Sequence, residues 1–135
     1  MRASFARVGF LQLIGATMDR VAWGEVDISV AMRPELGQQH GFGHGGLVAT
    51  ILDAASGYAA MTTMPADHEV LSVEFKINFL RPALAERLVA RGRVLKTGRT
   101  LVVTAGDAVA MASDRSKTLI AVMQGTMIGK ESDAA

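Results

Sequence analysis

The sequence predicts an α+β fold, with one long buried helix wrapped by a curved antiparallel sheet. Three observations carry this. Leu47 to Met64 is dense in alanine, has no proline and is apolar nearly all round, which marks a buried helix. The segments on both sides of it alternate apolar and polar residues, as half-buried strands do. No second helix-length pattern separates the later segments, so the βαβ repeat of a parallel sheet is missing. At 135 residues the chain is one domain, large enough for a real core.

The elements follow in order. Residues 1–14 read as a short N-terminal docking helix. Arg2 and Arg7 ahead of Val8-Gly9-Phe10-Leu11 faintly resemble a signal peptide, but Gln12, Asp19 and Arg20 interrupt it and no clean small-residue cleavage site follows. Gly15 to Val21 and Glu25 to Met32 flank Trp23-Gly24 as a hairpin with Val26, Ile28, Val30 and Met32 on its buried face. Arg33-Pro34 ends the hairpin, Glu35 to Gly46 is loop, and Pro65 stops the long helix. Only strands come after it, expected as a meander. In the first, Val73, Phe75, Ile77 and Phe79 line one face and Ser72, Glu74, Lys76 and Asn78 the other. Leu88 to Leu95, Leu101 to Ala112 and Leu119 to Ile128 complete the set, joined by turns at 96–99 and 113–116. Residues 129–135 read as a loose tail.

Composition excludes several classes. A net charge of +1 gives no general pull toward nucleic acid. No apolar run reaches the ~18 residues that suggest a membrane span. The absence of cysteine removes disulfides, thiolate metal sites and a cysteine nucleophile, and it fits a reducing, cytoplasmic compartment.

The chemistry concentrates between Gln38 and Asp53, QQHGFGHGGLVATILD. A helix start offers unpaired N–H groups, and glycine lets a ligand oxygen approach them. Asp53 is the one formally charged residue between Glu35 and Asp67, and a lone carboxylate in apolar surroundings is costly without a task or a partner. Together these suit an oxyanion site beside a catalytic acid or base.

Other motifs fail. Gly41 to Gly46 matches G-x-G-x-x-G, but no buried strand precedes it. His40 and His44 lack a third ligand nearby in sequence, so no metal is expected. Ser56-Gly57 lacks the nucleophile-elbow pattern. Arg87, Arg91 and Arg93 read as a solvated strand face, whereas Arg81 and Arg99 sit beside turns, where they could pair with phosphates.

The chain resembles the hotdog-fold acyl-CoA thioesterases, in the phenylacetic-acid-degradation (PaaI-type) branch related to 4-hydroxybenzoyl-CoA thioesterases. The resemblance rests on His44-Gly45-Gly46 leading into Leu47 to Asp53, on Ala54-Ala55-Ser56-Gly57, on Asn78 to Ala83 and on Gly98-Arg99. It implies hydrolysis of an aryl- or medium-chain acyl-CoA without a further cofactor. Gly45 N–H would polarise the thioester carbonyl with Gln38 near the same oxygen, and Asp53 would be nucleophile or general base. Ser72 would help to position the lytic water and His44 would support the loop. Gly46, Gly57, Arg81 and Arg99 would bind substrate. Two alternatives stay open: a non-catalytic acyl-CoA-binding module, which has no need of Asp53, and an enoyl-CoA hydratase, which would pair His44 with Asp53.

Helix geometry adds an expectation about assembly. Gly45 and Asp53 are eight residues apart, about 12 Å along one helix at ~1.5 Å per residue, too far to meet at one thioester. Two antiparallel helices solve this. A homodimer with shared sites is therefore expected, each site combining Gln38 and Gly45 of one chain with Asp53 of the other; whether two dimers make a tetramer stays open.

Overall fold

A computed structural model describes residues 1–133. Its centre is α3 (Gly45–Met61), lying across a six-stranded antiparallel sheet of β1 (Ala16–Ala22), β2 (Glu25–Ala31), β3 (His68–Phe79), β4 (Arg87–Thr97), β5 (Leu101–Met111) and β6 (Lys117–Glu131). The spatial order is β1-β2-β4-β5-β6-β3. The expected helix wrapped by a sheet is therefore present. The expected meander holds only for β4-β5-β6, because β3 crosses to the far edge and pairs with β6 alone.

The core forms where α3 meets the inward faces of the central strands. Val26, Ile28 and Val30 of β2, Ile51 and Leu52 of α3, Leu88 of β4 and Ile120 of β6 are all fully buried. Glycine sets how closely helix and sheet approach. A Cβ built on Gly92 would fall 2.3 Å from the Ala55 carbonyl carbon and oxygen, so only glycine fits beneath the helix there. Its cross-strand partner Gly106 lies under Leu52 and Ser56, where a Cβ would meet side-chain atoms at 3.0 Å. The pair forms a seat for α3. Gly92→Ala is expected to force the helix off this seat and to destabilise the fold by about 3 kcal/mol or more, at the upper end of overpacking costs. Thermal denaturation checks this, and an unchanged Tm would show that the helix can shift without loss.

The structure differs from the sequence reading in four further places. The N-terminal docking helix is two short helices, α1 (Arg2–Ala6) and α2 (Gly9–Leu13), which bury Phe5 and Leu11. Arg33 ties α2 down by donating to the Leu13 and Ile14 carbonyls, and Arg2 donates to the Met18 carbonyl. The long helix ends at Met61, before Pro65, where the Thr62 hydroxyl donates to the Ala59 carbonyl and accepts from Gly24 N–H. The tail expected from residue 129 starts later, because β6 runs to Glu131 against His68 and Ser132 N–H donates to the Asp67 carbonyl. Ala134 and Ala135 lie outside the described residues.

The fourth difference concerns β3. It begins at His68, and its register against β6 slips between Ser72 and Glu74. This bulge at Val73 reverses the side-chain alternation. Ser72 thus pairs with the buried Met127, while Glu74 lies opposite Thr126 and accepts its hydroxyl on the outer face. Nor is the apolar row of β3 buried within the chain: Val73 and Phe79 are more than half exposed. The opposite edge differs. There β1 carries its own irregularity between Met18 and Arg20 and presents exposed Thr17, Asp19 and Arg20.

Candidate active site

The loop before α3 is held tightly, and what it leaves free defines the site. Gln38 N–H donates to the Phe42 carbonyl, Gly41 adopts φ +85° to close the turn, and His44 N–H donates to the Leu36 carbonyl. His44 then caps α3, its Nδ1 accepting from Gly46 N–H at 2.8 Å. Leu47 and Val48 N–H groups both reach the His44 carbonyl. Among the described residues, only Gly45 N–H is left without an acceptor in this first turn.

Gln38 shares a hollow with Gly45. Its Oε1 accepts from the His40 and Phe42 amides, so the side chain braces its own loop. Its Nε2 has no partner among the described residues, which leaves a second donor on the same hollow of about 430 Å³. Phe79 forms part of the wall, and a Cβ on Gly45 would lie 3.3 Å from its ring. Arg81 borders the same hollow and donates to the Leu119 carbonyl.

Asp53 opens on a different cavity. It is half-buried on α3, with Oδ1 accepting from the Ser72 hydroxyl at 2.6 Å. The β3 bulge makes this contact by turning Ser72 toward the helix. Asp53 Oδ2 has no partner among the described residues. The cavity, about 330 Å³, runs from Asp53 past Gly57 to Tyr58, under Val8 and Phe10 of the N-terminal segment. The Ser4 and Tyr58 hydroxyls, also on its wall, lie 3.2 Å apart. Burial raises the Tyr58 pKa above the usual phenol range, partly opposed by the bond to Ser4.

The expected residues thus do not meet in one place within the chain. Gln38 and Gly45 line one hollow, and Asp53, Ser72 and Gly57 line the other. His44 and Gly46 are joined to each other at the helix start, so the His44 nitrogen nearest the helix is spent on the cap rather than on Asp53. Arg99 stands apart, exposed in the β4–β5 turn at the end of the sheet where α3 finishes, whereas Arg81 is where α3 begins. Arg87 donates to Ser29, and Arg93 meets Asp107 at 3.1 Å. Arg91 lies in register between Asp27 and Asp107. Burial pushes the Asp27 carboxyl up, while Arg91 and Arg20 pull it back. These cations serve the outer face of the sheet.

Sequence reasoning missed Ser4, Val8 and Phe10 as walls of the Asp53 cavity. The apolar pair Val8 and Phe10 was visible only as part of a docking helix. Tyr58 lines the Asp53 cavity and Phe42 the Gly45 hollow. Met61 packs against the main core and Met64 beside Val102 and Met127.

The thioesterase superfamily model matches residues 40–111, which span the capped helix start, Asp53 and the β4–β5 seat. The chain belongs to the thioesterase superfamily. A thioesterase family protein from Silicibacter pomeroyi is 43% identical, with 96% of this chain and 95% of that one covered and a TM-score of 0.93. Human acyl-coenzyme A thioesterase 13 is 36% identical over 92 residues, which is 67% of this chain and 65% of that protein. The PaaI protein of the E. coli phenylacetic acid degradation operon, at 18% identity, shares the fold with a TM-score of 0.85 over 99% of this chain and 93% of its own. This thioesterase is therefore an enzyme of the hotdog fold. No helix among the described residues is long and apolar enough to cross a membrane.

Proposed function

We propose that the enzyme hydrolyses acyl-CoA thioesters at sites shared between two copies of the chain. The observation that carries this is the split within one chain: two unspent donors, Gly45 N–H and Gln38 Nε2, line one hollow, while the carboxylate of Asp53 opens on another. Antiparallel pairing of two α3 helices would bring the start of one beside the middle of the other. The unpaired β3 edge supports this arrangement. It is twelve residues long and exposes Leu71, Val73, Phe75 and Phe79, a combination that a lone domain usually avoids.

In such a site the thioester carbonyl oxygen would receive hydrogen bonds from Gly45 N–H and Gln38 Nε2. Negative charge grows on that oxygen as the tetrahedral intermediate forms, so donors already in place stabilise it most. Asp53 would take a proton from water as it attacks the carbonyl carbon, or attack directly to form an anhydride that water then opens. Ser72 would hold the carboxylate through Oδ1. The C–S bond breaks, and coenzyme A departs as the thiol once its sulfur takes up the proton that Asp53 drew from water or, on the anhydride path, a proton from solvent. The scheme uses only the chain's own groups and calls for no metal or added cofactor. The same pairing would carry Arg99 of one chain to the end where the partner's Gly45 and Arg81 lie, giving the two cations a common phosphate to hold. The lack of cysteine suits a cytoplasmic enzyme.

The test is free-thiol release from a panel of acyl-CoA thioesters. Hydrolysis with KM raised by Arg81→Ala and Arg99→Ala on acyl-CoA, but not on a short thioester lacking the nucleotide, is the expected result. Equal losses on both substrates would mean that the arginines act on the fold. No thiol release across the panel would overturn the hydrolase reading in favour of a binding module.

A further inference from the structure

We infer that Gly57 and Phe10 set the size of the acyl group by bounding the cavity beside Asp53, an inference that rests on the hydrolase reading of that site. Gly57 lies one helical turn beyond Asp53, so both face the same cavity. Having no side chain, it leaves open the space between α3 and β3. A Cβ placed there would meet nothing closer than Val70 Cγ1 at 3.7 Å, an ordinary contact. Space, rather than backbone conformation, is what this glycine provides.

The cavity is a slot between α3 and β3, lined by Asp53, Gly57, Val70 and Ser72, with Val8 and Phe10 of the N-terminal segment as its roof and the Ser4–Tyr58 hydroxyl pair and Glu69 also on its wall. At about 330 Å³ it lies near the bottom of the ~300–1,000 Å³ range of small-molecule sites. It suits an acyl group and has no room for the nucleotide of coenzyme A as well. An acyl group whose thioester lies at Asp53 would extend past Gly57 toward Tyr58, so added carbons would meet these walls first.

The roof belongs to a segment fastened from outside the site. Arg33 holds the end of α2, Gln12 Nε2 donates to the Phe5 carbonyl, and Leu11 is buried. Truncating Phe10, itself 57% exposed, therefore removes roof without releasing the helix.

The experiment measures two quantities across straight-chain lengths from acetyl to dodecanoyl. One is kcat/KM for acyl-CoA; the other is Kd for the matching S-alkyl-CoA thioethers, which cannot be hydrolysed. Gly57→Ala should shorten the accepted chain, with about a tenfold loss on the longest good substrate, since one methyl group's worth of pocket is worth roughly 10-fold or more. The loss should be smallest on acetyl-CoA, and Tm should rise rather than fall, because alanine favours the helix. Phe10→Ala should move the limit the other way. Thioether Kd should follow both shifts. A uniform change across all lengths, or no change, would overturn the inference. Length-dependent thioether binding without any thiol release would instead overturn the hydrolase reading and leave the slot standing.

Discussion

Asp53→Ala is expected to keep the fold and to lower kcat by about 10²- to 10⁴-fold, the usual worth of a positioned acid or base. The fold should survive because Asp53 is only half-buried and its one partner, the Ser72 hydroxyl, belongs to an exposed residue that can turn to water. KM should move less than kcat, since in the proposed site the carboxylate would face the reacting centre rather than the nucleotide. Ser72→Ala should cost less than Asp53→Ala, for it removes a support and leaves the carboxylate in place. Steady-state kinetics with circular dichroism on each variant checks all three points. Near-normal turnover in a folded Asp53→Ala protein would end the catalytic assignment.

Mixing two dead variants is expected to restore activity. Gln38→Ala damages the oxyanion hollow and Asp53→Ala the carboxylate, and each should be nearly inactive alone. After reassociation at equal amounts, about half the dimers would be hybrids. In each hybrid one site collects both lesions and the other collects none, so about a quarter of wild-type activity returns. Sites built within one chain would keep a lesion everywhere. Absence of recovery, with subunit exchange verified by native mass spectrometry, would rule out the shared site.

Much of this was legible in the sequence because it rests on short-range rules. The apolar density of Leu47 to Met61 requires burial, and the glycines before it mark a helix start. A single acid within that run stands out whatever surrounds it. The Ser72–Asp53 contact was not legible in this way. A bulge adds one residue to one strand, and at Val73 the added residue is as apolar as its neighbours, so the alternation reads unbroken while the faces exchange. The edge position of β3 was hidden for another reason. Strand order depends on pairing between distant segments, and nothing in the 79–87 connection distinguishes a hairpin to β4 from a crossing past it. The slot beside Asp53 was obscured because its roof comes from residues more than forty positions earlier in the chain. Read alone, Val8 and Phe10 have no visible target.

The two edges of the sheet are unlike, and this limits how many copies can join. The β3 edge is long and apolar, so a two-fold partner can extend the sheet across it. Once two copies meet there, that edge is consumed. What remains exposed is β1 at each end, where the irregularity between Met18 and Arg20 breaks the hydrogen-bonding rhythm and Asp19 and Arg20 bring charge to the rim. A third copy would find no regular strand to add to. On the proposed pairing the sheet would double rather than polymerise: the surface that would be an aggregation hazard on a lone chain would end in a closed object, and a larger assembly would be built through the faces of the sheets.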